Sequence, residues 1–361
     1  MSTLYAPAVH DLFSGSFAAL APAAIDVDRP RLVRRLKAAA RGTHDVSDPL
    51  VEHLRRDGFR ESHVIPYTHR AFDTRWLYID PGADRDYLEH VAAHVDFVGI
   101  SANGDAPMVT RRAAVELDAP LQLYPFARVT REWSSAAKKY ETVKVPNLTG
   151  EAADFVRRTG IADSDLFHHA IAILSAPRRT TLHVPLTEEK AAIRDSALLG
   201  YRVASLYAEH DPLVPMTAQD QALRAFGVPA RIGKEARMLR GSVLRVDERR
   251  AGDEMVVPRS HDREELAAMS DCGNEALAIL GDQTCDVYLN EKALWRNVPI
   301  NVWRYTHRGV PLLQAWLRDR HSGTLGRGLL REEVTHFSMA VRRITALLLL
   351  QPALAKNAGK M

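Results

Sequence analysis

The chain has 361 residues but only two cysteines, Cys272 and Cys285. Two cysteines build neither a disulfide framework nor a four-ligand zinc site, so we expect a reducing, cytoplasmic compartment. No run of about 18 apolar residues is present, and the longest one near the C-terminus, residues 346–350, is far shorter, so we expect no membrane span. The N-terminal residues lack a basic segment followed by an apolar one, which predicts no secretory signal.

Sequence motifs of catalysis are also missing. The chain has no G-x-G-x-x-G fingerprint, no phosphate-binding P-loop, no G-x-S-x-G elbow and no H-E-x-x-H pair. It has no Pro-Pro dipeptide, which the Asn/Asp/Ser-Pro-Pro-aromatic loop of DNA amino-methyltransferases requires to grip a flipped base. We therefore predict no catalytic, cofactor-binding or metal-binding residues in this chain.

Two weaker chemical signals deserve an explanation. His168 and His169 are adjacent, so on a helix they point about 100° apart, and hydrogen-bonded histidines are favoured over a metal site. Asp165 precedes a Glu-Glu-Lys triplet at residues 188–190, and an acid followed by Glu-x-Lys can hold a divalent ion beside a phosphodiester. That nuclease pattern belongs on a strand, whereas this segment has helical periodicity, so a helix start rich in acids is favoured.

The charge of the chain lies in arginine rather than lysine. Its 48 basic and 45 acidic residues give a net charge of +3, which does not by itself indicate nucleic acid. The basic residues are 39 arginines and 9 lysines. Arginine forks onto phosphate and onto guanine edges, so the bias suits DNA. A GC-rich genome, whose codons favour arginine, explains the same bias and is the favoured explanation.

The order of predicted elements indicates an α+β fold with mixed sheets, packed helices and a long C-terminal helix. We predict an N-terminal α/β part over residues 1–180 and a C-terminal α+β part over 181–361. Periodicity, caps such as Asp28 and Thr149, and a stop near Gly160 are the signals for helices. They predict helices at 28–41, 47–57, 84–95, 149–158, 163–175, 187–208, 311–320 and 329–351. Alternating or short apolar runs predict strands at 61–67, 74–80, 97–102, 121–129, 241–247, 253–258, 285–290 and 301–305.

Three segments carry a resemblance to a known family. Residues 59–80 read FRESHVIPYTHRAFDTRWLYID, residues 151–176 end in DLFHHAIAILSA, and the C-terminal block reads VWRYTHRGVPLLQAWLRDR followed by EEVTHFSMAVRRITALLLLQPAL. Together they resemble the C-terminal target-recognition region of type ISP restriction-modification enzymes and related adenine-specific DNA methyltransferases. The resemblance covers roughly residues 5–355.

The resemblance implies a DNA-reading role without chemistry of its own. In such enzymes one polypeptide carries a nuclease, a motor, a methyltransferase and this region last, and the region reads an asymmetric sequence and presents an adenine. We therefore expect double-stranded DNA and a separate methyltransferase or restriction polypeptide as partners. S-adenosylmethionine and ATP with Mg²⁺ are expected on the partner's domains. The chain starts at Met1 already inside the recognition region. Three interpretations therefore stay open: a stand-alone specificity subunit, a split gene product or a remnant.

Two departures from the family pattern stand out. The usual Gly-Gly-aromatic turn reads His307-Arg308-Gly309-Val310 here. If that turn needs a left-handed residue at position 308, arginine is strained there, although Arg308 could equally be a new contact to DNA. The middle segment, about residues 211–270, matches poorly, so target specificity varies there or the region is degraded.

Candidate DNA-binding residues fall into four groups. Arg70 and Arg75 flank Asp73, either as a fork aimed at phosphate or guanine or as an internal pair that pins a turn. The internal pair is favoured, because an aspartate repels DNA. The other candidates are basic clusters, the second of them interleaved with Trp133 and Tyr140: Arg111 with Arg112, Lys138 and Lys139 with Lys144, and Arg304 with Arg308.

Two alternatives from other classes remain at this point. The first is a catalytic DNA enzyme, either a methyltransferase with unrecognised motifs or a nuclease around Asp165 and Glu188. The second is a partner-binding remnant that does not bind DNA. A stripe from Phe337 through Ile344 to Leu348 is predicted to be core, or else a docking surface for a methyltransferase.

Overall fold

The structure is a computed structural model in which the chain divides into two compact units. The first comprises Met1–Ala208 and Leu354–Met361, and the second Glu209–Ala353. The residues described are 5–21, 24–42, 49–79, 82–101, 106–117, 120–177, 181–208, 245–246, 256–260, 278–281, 283–290 and 293–361. Most of the poorly matching middle segment, Cys272 and the predicted strand 241–247, except for residues 245–246, lie outside them.

In its described residues up to Ala208, the first unit combines ten strands with seven α-helices. The helices are α1 (Val9–Leu12), α2 (Arg29–Ala40), α3 (Pro49–Asp57), α4 (Arg85–Ala92), α5 (Gly150–Thr159), α6 (Asp163–Leu174) and α7 (Lys190–Tyr207). The strands are β1 (Phe17–Ala18), β2 (Ala24–Asp26), β3 (Val64–Arg70), β4 (Asp73–Tyr78), β5 (Phe97–Ser101), β6 (Met108–Thr110), β7 (Ala113–Ala114), β8 (Leu121–Pro125), β9 (Ala127–Ser134) and β10 (Lys139–Pro146).

Two four-stranded sheets and one hairpin organise these strands. One sheet has the order β1-β8-β5-β6 with antiparallel neighbours, and the other has the order β2-β4-β3-β7, in which β3 and β7 run parallel. Strands β9 and β10 pair only with each other among the described strands, along their whole length. This pair is called the β9–β10 hairpin below.

Apolar side chains of both sheets meet in one core. Tyr67 and Leu77 from one sheet, and Phe97 and Leu123 from the other, are fully buried together with Tyr87 of α4. A second cluster lies under α2 and α3, which cover the β3–β4 face. Burial of this much apolar surface provides most of the favourable free energy that positions the hairpins.

A charged contact fixes α2 against the edge strand β2. The Asp28 side chain caps the helix by accepting from the Arg31 N–H, as the sequence predicts. The buried Asp26 carboxylate accepts from the Arg31 and Arg35 guanidinium groups. Burial alone would raise the pKa of Asp26, but the bonds from Arg31, from the Asp28 N–H and from Arg35 hold that pKa below its ordinary value.

Helices α6 and α7 approach each other closely. A Cβ atom on Gly200 would lie 1.7 Å from the backbone oxygen of His168, so only glycine fits there. The neighbouring His169 is buried, and its ring nitrogens contact Ser196 Oγ at 2.7 Å and the Pro185 carbonyl at 2.8 Å. His168 contacts the Ser164 carbonyl at 2.8 Å, so both histidines are hydrogen-bonded, in keeping with the interpretation favoured from the sequence.

The second unit is described in less of its length. Its strands are β11 (Val256–Ser260), β12 (Gln283–Tyr288), β13 (Leu294–Pro299), β14 (Thr306–His307) and β15 (Val310–Pro311). Its helices are α8 (Ile300–Trp303), α9 (Leu312–Arg318), α10 (Ser322–Leu325) and α11 (Arg331–Lys360), the last of which continues into the first unit from Leu354. Strands β11, β12 and β13 form an antiparallel sheet, and β14 and β15 a two-residue hairpin.

An aromatic cluster forms the core of the second unit. Trp295 stacks on Phe337 at 4.0 Å between ring centroids, and Trp316 packs against the same phenylalanine at 5.2 Å. Phe337 and Ile344 of α11 are fully buried and Leu348 is half-buried, which agrees with core as the favoured interpretation for the first two residues of that stripe. By length and composition α11 could cross a membrane, but core helices pass the same test, and 61% of its most apolar window is buried.

The α+β class and the long C-terminal helix are confirmed, and most helices begin and end within a few residues of their predicted bounds. One predicted strand is wrong. Residues 301–305 do not form a strand, because β13 ends at Pro299, which has no N–H to extend a ladder, and the chain turns directly into α8. The predicted strand 121–129 is two strands, β8 and β9.

Candidate nucleic-acid interface

The β3–β4 hairpin holds the first pair of candidate residues. Residues 71 and 72 form its two-residue loop, and Phe72 has a φ of +60°, a left-handed conformation that is rare for a bulky residue. Phe72 is nevertheless buried, and its ring stacks on Tyr207 at 5.1 Å. Burial of the ring therefore offsets the strain of the turn.

An ion pair lies directly beside this loop. The Arg75 Nε and Nη2 atoms both donate to Asp73 Oδ2, at 2.9 and 2.7 Å, and Arg75 is only 8% exposed. Its guanidinium fork is thus engaged with the protein, in keeping with an internal pair that pins the turn. Arg70, half-buried, lies opposite Asp73 in the register. Their assignment as DNA contacts stays a prediction.

Arg111 and Arg112 lie in the turn between β6 and β7. Arg111 is exposed and forms an ion pair with Asp96, 2.5 Å from Nε to Oδ1. Arg112 is half-buried and donates to the hydroxyl of Thr74, so it reaches the strand that carries Arg75. Of the two, Arg111 has the more accessible charge.

The β9–β10 hairpin carries the lysine cluster. Lys138 has a φ of +51° in the turn, and Lys139 is exposed beside it. Lys144 is also exposed, but its Nζ donates to the carbonyl of Ala93 at the end of α4, at 2.6 Å. The two lysines of the turn are therefore separated from Lys144, which anchors the base of the hairpin.

Exposed residues cover both faces of this hairpin toward its tip. Trp133 and Tyr140 are 56% and 69% exposed and lie opposite each other, 5.3 Å between ring centroids at an angle of 70°. Arg128 and Arg131 are further exposed basic residues that the sequence analysis missed. The β-branched and aromatic residues in TREWS and KYETVKV are the signal that could have extended the predicted strand past Val129.

The remaining candidates lie in the second unit. Arg304 is exposed after α8. In the β14–β15 hairpin both central residues are left-handed, Arg308 at φ +53° and Gly309 at φ +75°, as a type I′ turn requires. The sequence expectation for position 308 is therefore met, and this arginine occupies a conformation that favours glycine.

The two acids of the alternative nuclease hypothesis, Asp165 and Glu188, lie at or before the start of a helix. Asp165 accepts a hydrogen bond from the Ala162 N–H at 2.9 Å at the start of α6, and Arg194 lies 3.6 Å away. Glu188 is exposed in the segment before α7 and is not on a strand. These residues therefore do not have the nuclease geometry, in which Glu and Lys lie on one strand.

The buried cysteine has no reactive character. The Cys285 thiol donates to the Val298 carbonyl at 3.3 Å, and burial together with Asp286 raises its pKa to about 12. A thiol with a raised pKa is a poor nucleophile at neutral pH.

Comparison with known proteins identifies the class. The protein-family model described as "Type ISP C-terminal specificity domain" matches residues 28–346, and the chain therefore belongs to that family. The resemblance stated from the sequence is confirmed. No curated protein sequence matches significantly.

Solved structures share the fold at low identity. A cryoEM DrdV–DNA complex matches with a TM-score of 0.55 and 14% identity over 97% of this chain and 36% of that chain. The ATP-dependent Type ISP restriction-modification enzyme LlaBIII bound to DNA matches with a TM-score of 0.59 and 9% identity over 96% of this chain and 23% of that chain. A nuclease-deletion mutant of the Type ISP restriction-modification enzyme LlaGI in complex with a DNA substrate mimic matches with a TM-score of 0.55 and 11% identity over 97% of this chain and 33% of that chain. The chain thus spans about a quarter to a third of these enzymes.

Proposed function

We propose that this chain is a DNA target-recognition module that directs adenine methylation or restriction by a separate catalytic polypeptide. The observation that carries the proposal is membership of the specificity-domain family, whose structural neighbours are DNA complexes. In this proposal S-adenosylmethionine and ATP with Mg²⁺ bind to the catalytic polypeptide, and the module works in the cytoplasm, where it has access to chromosomal and incoming DNA.

The described surface supplies the charges for such a role. The β9–β10 hairpin contains five basic and two acidic residues between positions 127 and 146. Exposed lysines bind phosphate without reading sequence, so they supply affinity and register, whereas arginines that reach base edges supply specificity. We assign Lys138 and Lys139 to phosphate, and Arg111, Arg304 and Arg308 to contacts that include base edges.

Salt dependence tests the phosphate contacts. Duplexes selected by the purified chain from a randomised pool are titrated at several salt concentrations. We expect the double variant Lys138→Gln/Lys139→Gln to weaken binding to all duplexes alike and to lower the log–log salt slope by about 2, since each phosphate contact contributes about 0.9. Fluorescence anisotropy gives both quantities.

A matched control has the same loss of charge elsewhere. Lys356 and Lys360 are exposed on α11, and their replacement by glutamine should leave the slope unchanged. A salt-independent affinity of the unmodified chain, or the same slope for both double variants, would contradict the assignment. Methylation or cleavage of plasmid by the chain alone, with S-adenosylmethionine, ATP and Mg²⁺ present, would contradict the need for a catalytic partner.

A further inference from the structure

The aromatic pair at the tip of the β9–β10 hairpin is not explained by folding. Trp133 and Tyr140 rank among the most exposed large apolar side chains of the described residues. Residues 131–133 and 139–142 are exposed on both faces of the ribbon, so the two rings bury little surface against the first unit. Large aromatic rings that stay in water indicate a surface that a ligand covers.

The described contacts between the hairpin and α4 lie at its base. The Val129 N–H donates to His90 Nε2 at 2.8 Å, Arg131 pairs with Glu89 at 2.6 Å, and Lys144 donates to Ala93 at 2.6 Å. All three contacts are made to α4 or to the residue that ends it. The contacts with α4 hold the base of the hairpin in place, so the exposed aromatic rings at its tip are positioned to contact a ligand.

The two faces of the tip differ in charge. The register places Glu132 directly opposite Glu141, and two like charges in such a cross-strand pair are destabilising. Trp133 and Tyr140 occupy the other face, because side chains alternate along a strand. The carboxylate face carries Glu132 and Glu141 against one basic residue, Lys139, whereas the aromatic face carries Arg131 and neither of the two carboxylates. DNA phosphates therefore favour an approach by the aromatic face, with Lys139 reaching phosphate from the edge of the tip.

We propose that the aromatic face of this tip stacks on the bases of an opened base-pair step, so that the hairpin acts as a wedge in the bound duplex. A two-stranded ribbon fits the major groove, which is about 12 Å wide. With the rings at 70° to each other, one ring can lie parallel to a base while the other supports it with its edge. This inference rests on the proposed DNA binding and adds bases to its phosphate contacts.

The experiment compares two short duplexes that differ only in one central mismatch, with 2-aminopurine next to it. A mismatched step opens at lower cost, so a wedge should prefer it. We expect the chain to bind the mismatched duplex more tightly, by about 5- to 100-fold, because less free energy is spent on unpairing the step. We also expect a change in 2-aminopurine fluorescence on binding.

The double variant Trp133→Ala/Tyr140→Ala should lose both the preference and the fluorescence change while it still binds the matched duplex. Thr142→Ala, an exposed substitution on the same face, is the matched control, and Tyr140→Phe should retain the preference. Circular dichroism checks that each variant is folded. Equal binding of both duplexes by the unmodified chain, or a preference that survives the double variant, would overturn the wedge and leave DNA binding intact. No binding to either duplex would overturn the proposed function and the wedge together.

Discussion

Two hairpins of the first unit contain the same residue types, but in one hairpin these residues are buried and in the other they are exposed. The β3–β4 hairpin and the β9–β10 hairpin each combine an arginine ion pair, an aromatic ring and a left-handed non-glycine residue in the turn. In the first, Phe72 and the Asp73–Arg75 pair are buried. In the second, Lys138, Trp133 and Tyr140 are exposed. Residue type alone therefore does not identify a DNA contact, since burial decides whether a side chain holds the fold or meets a ligand.

Desolvation explains why we expect the two ion pairs to contribute differently to the free energy of unfolding. The Asp73–Arg75 pair has side chains that are about one-tenth exposed or less, so removal of one partner takes a close charged contact away from a buried group. The Arg131–Glu89 pair lies in water, which screens its attraction.

The largest expected effect follows from this difference. Arg75→Ala should lower the free energy of unfolding by about 3–5 kcal/mol, because the buried Asp73 carboxylate loses both hydrogen bonds that Arg75 donates. Arg131→Ala should lower it by at most about 1 kcal/mol. Urea unfolding followed by circular dichroism measures both. Equal losses from the two substitutions would end the distinction between the two hairpins.

The turns provide a second, smaller contrast. Phe72→Gly relieves a left-handed residue, worth about 1–2 kcal/mol, but loses a buried ring worth about 3–5 kcal/mol, so we expect a net loss of about 2–3 kcal/mol. Lys138→Gly relieves the same kind of strain at an exposed site and should change stability by less than about 1 kcal/mol. Thermal unfolding of both variants checks this. A stabilised Phe72→Gly variant would mean that the ring against Tyr207 contributes little.

Sequence reasoning predicted more of the fold than of the site. Helix caps such as Asp28 and Thr149 and the stop at Gly160 are local signals, so they placed the helices well. The resemblance supplied the family, and the burial of Phe337 and Ile344 followed from apolar spacing.

The exposure of the candidate cations could not be predicted, because it depends on partners distant in sequence. Arg111 pairs with Asp96 and Lys144 with the end of α4, contacts that only the folded chain brings together. The β9–β10 hairpin was missed beyond Val129, since a ribbon that is exposed on both faces lacks the apolar alternation of a half-buried strand.

The smallest expected effect tests whether the left-handed arginine of the β14–β15 turn has a functional role. Arg308 and Gly309 both have positive φ. The Gly-Gly-aromatic pattern that this turn resembles has glycine at both positions. Arg308→Gly should therefore stabilise the chain by about 0.5–1 kcal/mol, the strain relieved less the entropy that glycine adds to the unfolded state. If arginine is retained because it binds DNA, the same variant should bind duplexes about 3- to 10-fold more weakly, as one lost phosphate or base contact implies.

Two further substitutions separate strain from charge at this turn. Arg308→Asn keeps a residue that tolerates the left-handed conformation but removes the charge, so it should lose affinity as Arg308→Gly does. Arg308→Lys keeps the charge and the strain, so it should retain most of the phosphate affinity while it loses any bidentate base contact. A stabilised Arg308→Gly variant with unchanged affinity would mean that this arginine costs stability without contributing to recognition. In that case the β9–β10 hairpin would be the stronger candidate for the DNA-contacting surface.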